Sequence, residues 1–124
     1  MSKKAYKNDF KKIGNEGEEM ATDFLKRRGY KIIERNFLCH QGEIDIIAKK
    51  KKEYVFCEVK TRRNVKYGEP RDSVNHTKKK HIYDATKYYL YKNDLCNEYI
   101  RFDVIEVYIH KDKSYINHIK NAGI

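Results

Sequence analysis

Asp45, Glu58 and Lys60 are the residues of this chain whose types and spacing are best suited to chemistry. They fall in two short runs, Gly42–Ala48 and Tyr54–Lys60, which are rich in β-branched and aromatic residues and are separated by a lysine-rich break. Two such runs predict a β-hairpin, in which alternate side chains of each strand share a face. If Asp45 lies opposite Glu58, both carboxylates and Lys60 lie on the same face of the hairpin.

The hydrophobic pattern of the two runs selects this register. One face then holds three apolar pairs across the strands, namely Ile44 with Val59, Ile46 with Cys57, and Ala48 with Val55. The other face also carries Glu43 opposite Lys60 and Ile47 opposite Phe56, and Lys50–Glu53 forms the loop. A slip by one residue would mix charged side chains into the apolar face. The pattern therefore predicts three carboxylates and one lysine together on the second face.

Such a cluster of carboxylates favours a bound cation. Two carboxylates about 5 Å apart repel by roughly 3 kcal/mol at an effective dielectric constant of 20, and Lys60 offsets only part of this repulsion. Oxygen ligands from two strands suit Mg²⁺ or Mn²⁺, which accept one or two carboxylates and complete their coordination with water and phosphate. A solvated hairpin face with ordinary ion pairs across the strands is the alternative, and the hairpin alone leaves both open.

Composition narrows the class of protein. With 28 Lys and Arg against 18 Asp and Glu, the 124-residue chain has a formal net charge of +10, which makes a polyanion the first partner to consider. Cys39, Cys57 and Cys96 form no Cys-x-x-Cys pair, which argues against a disulfide framework and a zinc site. The sequence contains neither the apolar core of a signal peptide nor a membrane-spanning run, so we expect a soluble, cytoplasmic protein.

Glu18 is a candidate site residue outside the hairpin. Residues 1–12 are predicted to form a basic arm, and residues 13–124 a single domain. Within that domain, the apolar spacing of Gly14–Arg28 predicts an amphipathic helix that ends at Gly29. Glu18 borders the apolar stripe of this helix and should face the sheet. It would support a site most directly if the helix covers Ile47 and Phe56.

The remaining elements complete the prediction of an α/β fold. The expected order is a strand at Tyr30–Asn36, a connection at Phe37–Gln41, the hairpin, a loop at Thr61–Ser73, a helix from Ser73 to about Tyr91, a strand at Tyr99–Tyr108 and an edge strand at Tyr115–Ile119. The order α-β-β-β-α-β-β implies a mixed sheet flanked by helices. Asp103 lies within a strand and needs a partner if it is buried.

Basic residues follow the hairpin directly. The candidates for phosphate contact are Arg62, Arg63, Lys66 and Arg71 in the loop, and Lys78 and Lys79 in the second helix. Ordinary solvated charges on a loop and a helix face explain the same residues equally well.

Several short motifs along the chain together form a recognisable pattern. They are Gly17-Glu18 with Ala21, Gly29-Tyr30, Arg35-Asn36, Gly42-Glu43-Ile44-Asp45, Phe56-Cys57-Glu58-Val59-Lys60 with Arg62, Gly68, Val74 with Lys78, Arg101-Phe102-Asp103, and Asn121-Ala122. From about Gly14 to Ala122 the chain thereby resembles the YraN family of uncharacterised proteins. That family looks like a branch of the PD-(D/E)XK nucleases related to archaeal Holliday junction resolvases.

The resemblance implies roles for the clustered residues. Asp45 and Glu58 would hold Mg²⁺ or Mn²⁺ with the backbone carbonyl of Val59, and Glu18 would reach the metal directly or through water. Glu43 is a further candidate ligand. Lys60 would orient or deprotonate the attacking water and stabilise charge on the phosphate.

The resemblance also implies a restriction-endonuclease-like fold and an activity. The expected function is a metal-dependent endonuclease that hydrolyses phosphodiester bonds in DNA, including branched or structured DNA. The resemblance favours DNA over RNA, and it implies a homodimer because junction-cutting enzymes pair two sites. The alternatives are a non-catalytic nucleic-acid-binding module that keeps the nuclease fold and, ranked last, a protein-interaction scaffold.

Overall fold

One mixed β-sheet organises the part of the chain that the structure, a computed structural model, describes: residues 16–64 and 76–123. The elements are α1 (residues 16–27), β1 (Lys31–Cys39), β2 (Gly42–Lys50), β3 (Glu53–Arg63), α2 (His76–Lys92), β4 (Tyr99–His110) and β5 (Lys113–Ile119). The strands lie in the order β1-β2-β3-β4-β5, with β3 and β4 parallel and the other neighbours antiparallel. The predicted α/β class and element order are confirmed, and β5 is an edge strand as predicted.

Gly29 caps the C-terminus of helix α1 as the sequence predicts. Gly29 has φ 89°, a left-handed conformation in which glycine carries no Cβ penalty. The Tyr30 amide donates to the Leu25 carbonyl, and the Gly29 amide donates to the Lys26 carbonyl, each at 3.0 Å. These two bonds form a Schellman motif, which turns the chain from α1 into β1.

The predicted hairpin register is confirmed where β2 and β3 form a ladder. Ile46 pairs with Cys57, Ile47 with Phe56, Ala48 with Val55 and Lys50 with Glu53. The paired register ends at Ile46 and Cys57, so Asp45 and Glu58 follow immediately beyond it. The strands therefore separate at the residues that the sequence singles out for chemistry.

Ile44 does not share a face with Ile46. It packs instead with Phe37, Ile47 and Phe56, so its predicted place on the same apolar face as Ile46 is wrong. The change of face lies between the pairs Arg35–Ile46 and Phe37–Ile44, where Asn36 of β1 adopts φ 53°. The predicted connection at Phe37–Gln41 is also wrong in part, because β1 resumes after this kink and extends to Cys39.

The two helices cover opposite faces of the sheet. Ala21 and Leu25 of α1 pack with Ile46, Ala48, Val55, Cys57, Ile105 and Val107. Ala85, Tyr89 and Leu90 of α2 pack with Phe37, Ile44, Ile47 and Phe56. The condition that α1 covers Ile47 and Phe56, under which Glu18 would most directly support a site, is not met, because α2 packs on that face. The predicted buried stripe of α2, which is Ile82, Ala85, Thr86, Tyr89 and Leu90, is confirmed.

Asp103 in β4 is fully buried and fully partnered. Arg101 donates to both of its carboxylate oxygens at 2.9 Å, His118 lies 2.6 Å from Oδ2, and the Asn121 amide donates to Oδ1 at 3.0 Å. Burial alone would raise the pKa of Asp103, but the hydrogen bonds from His118, Arg101 and Asn121 lower it to about 2. The partner that the sequence requires for this residue is present.

Candidate active site

A cavity of about 610 Å³ opens where β2 and β3 separate. Its lining comes from the start of β2, the middle of β3 and the first turns of α2, and consists of Gly42, Glu43, Asp45, Glu58, Thr77, Lys78, His81 and Ile82. Gly42 allows α2 to lie this close, because a Cβ at this position would be 3.0 Å from the His81 carbonyl oxygen. Three of the four predicted carboxylates therefore lie in one cavity.

Asp45 has little compensation for its charge. Its Oδ2 accepts a hydrogen bond of 2.8 Å from the Val59 amide, across the point where the strands separate. Burial and, after it, the negative charge of Glu58 raise the pKa of Asp45, Glu18 and Glu43 add to this, and the Val59 amide lowers it, so that the pKa is about 7. The carboxyl group of Asp45 is thus tuned to gain or lose a proton near neutral pH.

Glu58 is buried and has a cation beside it. Its Oε1 lies 2.5 Å from the Nζ of Lys78, whose own side chain is half exposed. Burial alone would lower the pKa of Lys78, but the hydrogen bond to Glu58 and the charges of Glu58, Asp45 and Glu43 raise it. Lys78, predicted to contact nucleic acid, therefore also compensates one carboxylate of the site.

Glu18 approaches the site from the other helix. Its Oε2 is buried without a hydrogen bond and lies 3.7 Å from Arg35. Burial raises the pKa of Glu18, while a hydrogen bond with Asn36 and the charge of Arg35 lower it, and Glu43 raises it again. Asn36, which adopts φ 53° where the strand alternation changes, thus also lies beside Glu18.

Gly17 sets the distance between α1 and the sheet. A Cβ at this position would be 1.9 Å from the Thr61 hydroxyl oxygen and 3.0 Å from its Cβ. Any larger residue would push α1 away from β3, and Glu18 with it. Gly17 is therefore needed for close packing of α1 on β3, and this packing positions Glu18.

Lys60 lies beside the cavity in β3, outside its lining. Burial lowers the pKa of Lys60, and the charge of Arg62 lowers it further, while Glu58 raises it. Lys60 pairs across the strands with Glu106, a buried residue that accepts a 2.9 Å hydrogen bond from Asn117 and lies 3.7 Å from Arg62. Arg62, Glu106 and Asn117 thus form a polar cluster that joins β3, β4 and β5.

The predicted phosphate-binding cations have different surroundings. Arg62 is paired with Glu106, and Arg63 forms an exposed ion pair with Glu16. Lys78 lines the cavity, and Lys79 is half-buried in the same turn of α2. Lys66 and Arg71 lie outside the described residues, as does the predicted arm at residues 1–12. Of the four described cations, only Lys78 is brought into the cavity.

The donor set fits a cation held by two carboxylates. Within residues 16–64 and 76–123, no three side chains of His, Cys, Asp or Glu are grouped closely enough to hold a metal together. Asp45 and Glu58 line one cavity, and burial first and the negative charge of Glu58 second raise the pKa of Asp45. Mg²⁺ needs only one or two carboxylates, since water and phosphate complete its coordination.

The family model of the uncharacterised protein family UPF0102 matches residues 17–107, a range that contains Glu18, Asp45, Glu58, Lys60 and Glu106. The chain belongs to this family. The predicted membership in the YraN family, which is the same family, is thereby confirmed. None of the helices in the described part of this UPF0102 protein is long and apolar enough to cross a membrane.

Relatives within UPF0102 align over most of their length. A UPF0102 protein of Caldicellulosiruptor saccharolyticus is 46% identical over 114 residues, which cover 90% of this chain and 97% of that protein. A UPF0102 protein of Clostridioides difficile is 49% identical over 112 residues, with coverage of 90% and 96%. One from Clostridium perfringens is 49% identical over 114 residues, with coverage of 90% and 93%.

Sequence reasoning gave no role to Arg35, Asn36, His81 or Glu106. Asn36 carried a signal, because asparagine is depleted in strands and tolerates left-handed backbone. Glu106 also carried one, since a glutamate flanked by apolar strand residues requires a partner if it is buried. Nothing local marks His81, which reaches the cavity only because α2 packs against Gly42.

Proposed function

We propose that this UPF0102 protein is a divalent-metal-dependent endonuclease that hydrolyses phosphodiester bonds in DNA, with branched or otherwise structured DNA as its substrate. The observation that carries the proposal is the placement of Asp45, Glu58 and Glu43 in one open cavity beside Lys78, and the raised pKa of Asp45 agrees with it. Lys78 compensates only one carboxylate of this cavity, and the negative charge that remains beside Asp45 favours a divalent cation. The net charge of +10 favours a polyanionic substrate.

Asp45 and Glu58 would hold Mg²⁺ or Mn²⁺ in this function. When bound, the cation supplies Lewis-acid polarisation of a phosphoryl oxygen and lowers the pKa of water. Glu18 and Glu43 contribute negative charge near Asp45 and are candidates for indirect contact through water. The Val59 backbone lies beside Asp45, because its amide already donates to that carboxylate.

Lys60 and Lys78 have separate tasks in this proposal. The lowered pKa of Lys60 makes its ammonium group easier to deprotonate than an ordinary lysine, which suits the removal of a proton from the attacking water. Lys78 is held in the cavity by Glu58 and can contact a phosphate oxygen from there. Both lysines also reduce the repulsion between a polyanion and the carboxylates.

Cleavage of defined DNA substrates tests the proposal. Purified protein is incubated with linear duplex and four-way-junction DNA in Mg²⁺ and in Mn²⁺, beside Asp45→Ala, Lys60→Ala and the control Asp23→Ala, which changes an exposed residue of α1. Wild type and control should cleave, while each site variant loses about 100-fold or more in rate. Equal and complete survival of every substrate with wild type and variants would contradict the proposal.

A non-catalytic nucleic-acid-binding module is the second candidate. It is favoured by the close ion pair of Glu58 with Lys78 and by the finding that no three ligand-type side chains in residues 16–64 and 76–123 form a metal-binding group. This function predicts binding that weakens steeply with salt, does not depend on divalent metal and is not followed by cleavage.

A further inference from the structure

A second cavity, of about 310 Å³, lies next to the candidate active site along α2. We call it the tyrosine groove, and it is lined by Gln41, Asp84, Lys87, Tyr88 and Tyr91. Gln41 directly precedes Gly42, which lines the active-site cavity. Helix α2 borders the active-site cavity with its first turns and the tyrosine groove with its later turns. A chain that leaves the active site along α2 therefore enters the groove.

The groove presents aromatic rings to solvent. The side chain of Tyr91 is 78% exposed and that of Tyr88 is 38% exposed. Tyr88 stacks on the buried Phe37, with ring centroids 6.3 Å apart and planes inclined by 28°. This contact fixes one face of the Tyr88 ring and orients the side chain before any ligand binds. Such rings form a stacking surface that loses little conformational freedom on binding.

The charge of the helix that lines the groove favours one kind of partner, and Lys87 is the lysine in the groove itself. Helix α2 carries five lysines, Lys78, Lys79, Lys80, Lys87 and Lys92, and one acidic residue, Asp84. Lys80 donates to Asp84 at 2.9 Å, which compensates that one negative charge. A second copy of this chain would bring a net charge of +10 towards a basic surface. A polyanion is attracted to the same surface.

We propose that the tyrosine groove binds an unpaired strand of nucleic acid, whose bases stack on Tyr88 and Tyr91 while its phosphates lie near the lysines of α2. The inference rests on the proposed function, because the strand is the flank of the DNA that is cleaved beside Asp45. Every base offers a flat face, so this binding is independent of sequence. The substrate class that follows is DNA with a single-stranded flank beside the cleaved bond.

Equilibrium binding without cleavage tests the groove. The full chain is titrated in EDTA against fluorescein-labelled oligothymidylate of about 15 nucleotides and against blunt duplex of the same length, and fluorescence anisotropy is read. Tyr91→Ala and Tyr88→Leu should each weaken binding of the single strand about tenfold, the low end for base stacking on an aromatic ring. Binding of the duplex should change much less, and Tyr91→Phe should retain binding of the single strand because it keeps the ring.

Tyr99→Ala is the matched control, since Tyr99 is 72% exposed but lies at the start of β4, outside the groove. Wild-type affinity for the single strand in both groove variants would overturn the inference, and so would an equal loss in Tyr99→Ala. A wild-type dimer that dissociates on Tyr91→Ala would assign the groove to a second copy and also overturn the inference.

Tyrosine-dependent binding by a chain that never cleaves DNA would support the groove and contradict the nuclease proposal. If both groove variants cleave DNA with a single-stranded flank as well as wild type does, the nuclease proposal is supported and the groove inference is contradicted.

Discussion

Asp45 and Asp103 are two aspartates of the same sheet with opposite surroundings. Asp103 is fully buried between Arg101 and His118 and also accepts the Asn121 amide, and its pKa is lowered to about 2. Asp45 is half-buried, and among the described residues its hydrogen bond comes from the Val59 amide; its pKa is raised to about 7. The less buried carboxylate is the one whose charge is less well compensated.

The difference separates a structural charge from one available for chemistry. The Asp103 network joins β4 to β5 and to the start of β1, because Arg101 also donates to the Tyr30 hydroxyl at 2.7 Å. Arg101, His118 and the Asn121 amide all bind the Asp103 carboxylate and thereby stabilise the fold. Around Asp45 the nearest charges include other carboxylates, so folding leaves an electrostatic cost that a cation can remove.

Of the substitutions at the two aspartates, Asp103→Ala should produce the largest change in the free energy of unfolding. It leaves Arg101 and His118 without the carboxylate between them, and breaking a buried charge pair costs about 3 to 5 kcal/mol. Urea unfolding at pH 7 measures this free energy. The control Asp84→Ala removes only an exposed pair with Lys80 and should leave the unfolding midpoint essentially unchanged. If Asp103→Ala were as stable as wild type, the structural role assigned to Asp103 would be contradicted.

Asp45→Asn should have a smaller effect of opposite sign. The pKa of Asp45 is higher in the folded chain, about 7, than its ordinary value of 3.8, so its contribution to stability is present below pH 4 and is lost as the pH rises to 7. Above pH 7 the substitution should therefore stabilise the protein, by roughly 2 to 4 kcal/mol. Asp103 behaves oppositely, since its lowered pKa contributes stability above pH 4 that is lost as the pH falls to 2.

Unfolding free energies of wild type and Asp45→Asn between pH 4 and pH 8 measure the second effect. The two curves should meet near pH 4 and separate as the pH rises. Asp23→Asn, an exposed substitution in α1, should follow wild type throughout. Parallel curves for wild type and Asp45→Asn would mean that Asp45 is as well compensated in the folded chain as in the unfolded one.

The sequence was sufficient for the parts of the fold that follow from local patterning. The hairpin register from Ile46–Cys57 to Lys50–Glu53, the buried stripe of α2 and the cap at Gly29 each depend on residues close together in the chain, and the structure confirms all three. Strand β4 ends two residues later and β5 begins two residues earlier than predicted, because pairing between these strands lengthens both.

The parts that were missed depend on contacts between distant residues. Period-2 alternation placed Ile44 beside Ile46, but the kink at Asn36 breaks that alternation, and a kink cannot be read from alternation itself. The helix that covers Ile47 and Phe56 is set by the crossover from β3 to β4 through α2, which local periodicity does not specify. The ion pair of Glu58 with Lys78 is a consequence of the same packing.

The side-chain carboxyl titration of Asp45 tests the central claim most directly. Carbon-detected NMR follows its chemical shift against pH, with Asp103 as the internal reference and with or without saturating Mg²⁺. Without metal, Asp45 should titrate near pH 7, and Mg²⁺ should lower its pKa by at least about one unit, equivalent to about 1.4 kcal/mol. Titration near the ordinary value, unchanged by Mg²⁺, would contradict an uncompensated carboxylate that favours a cation.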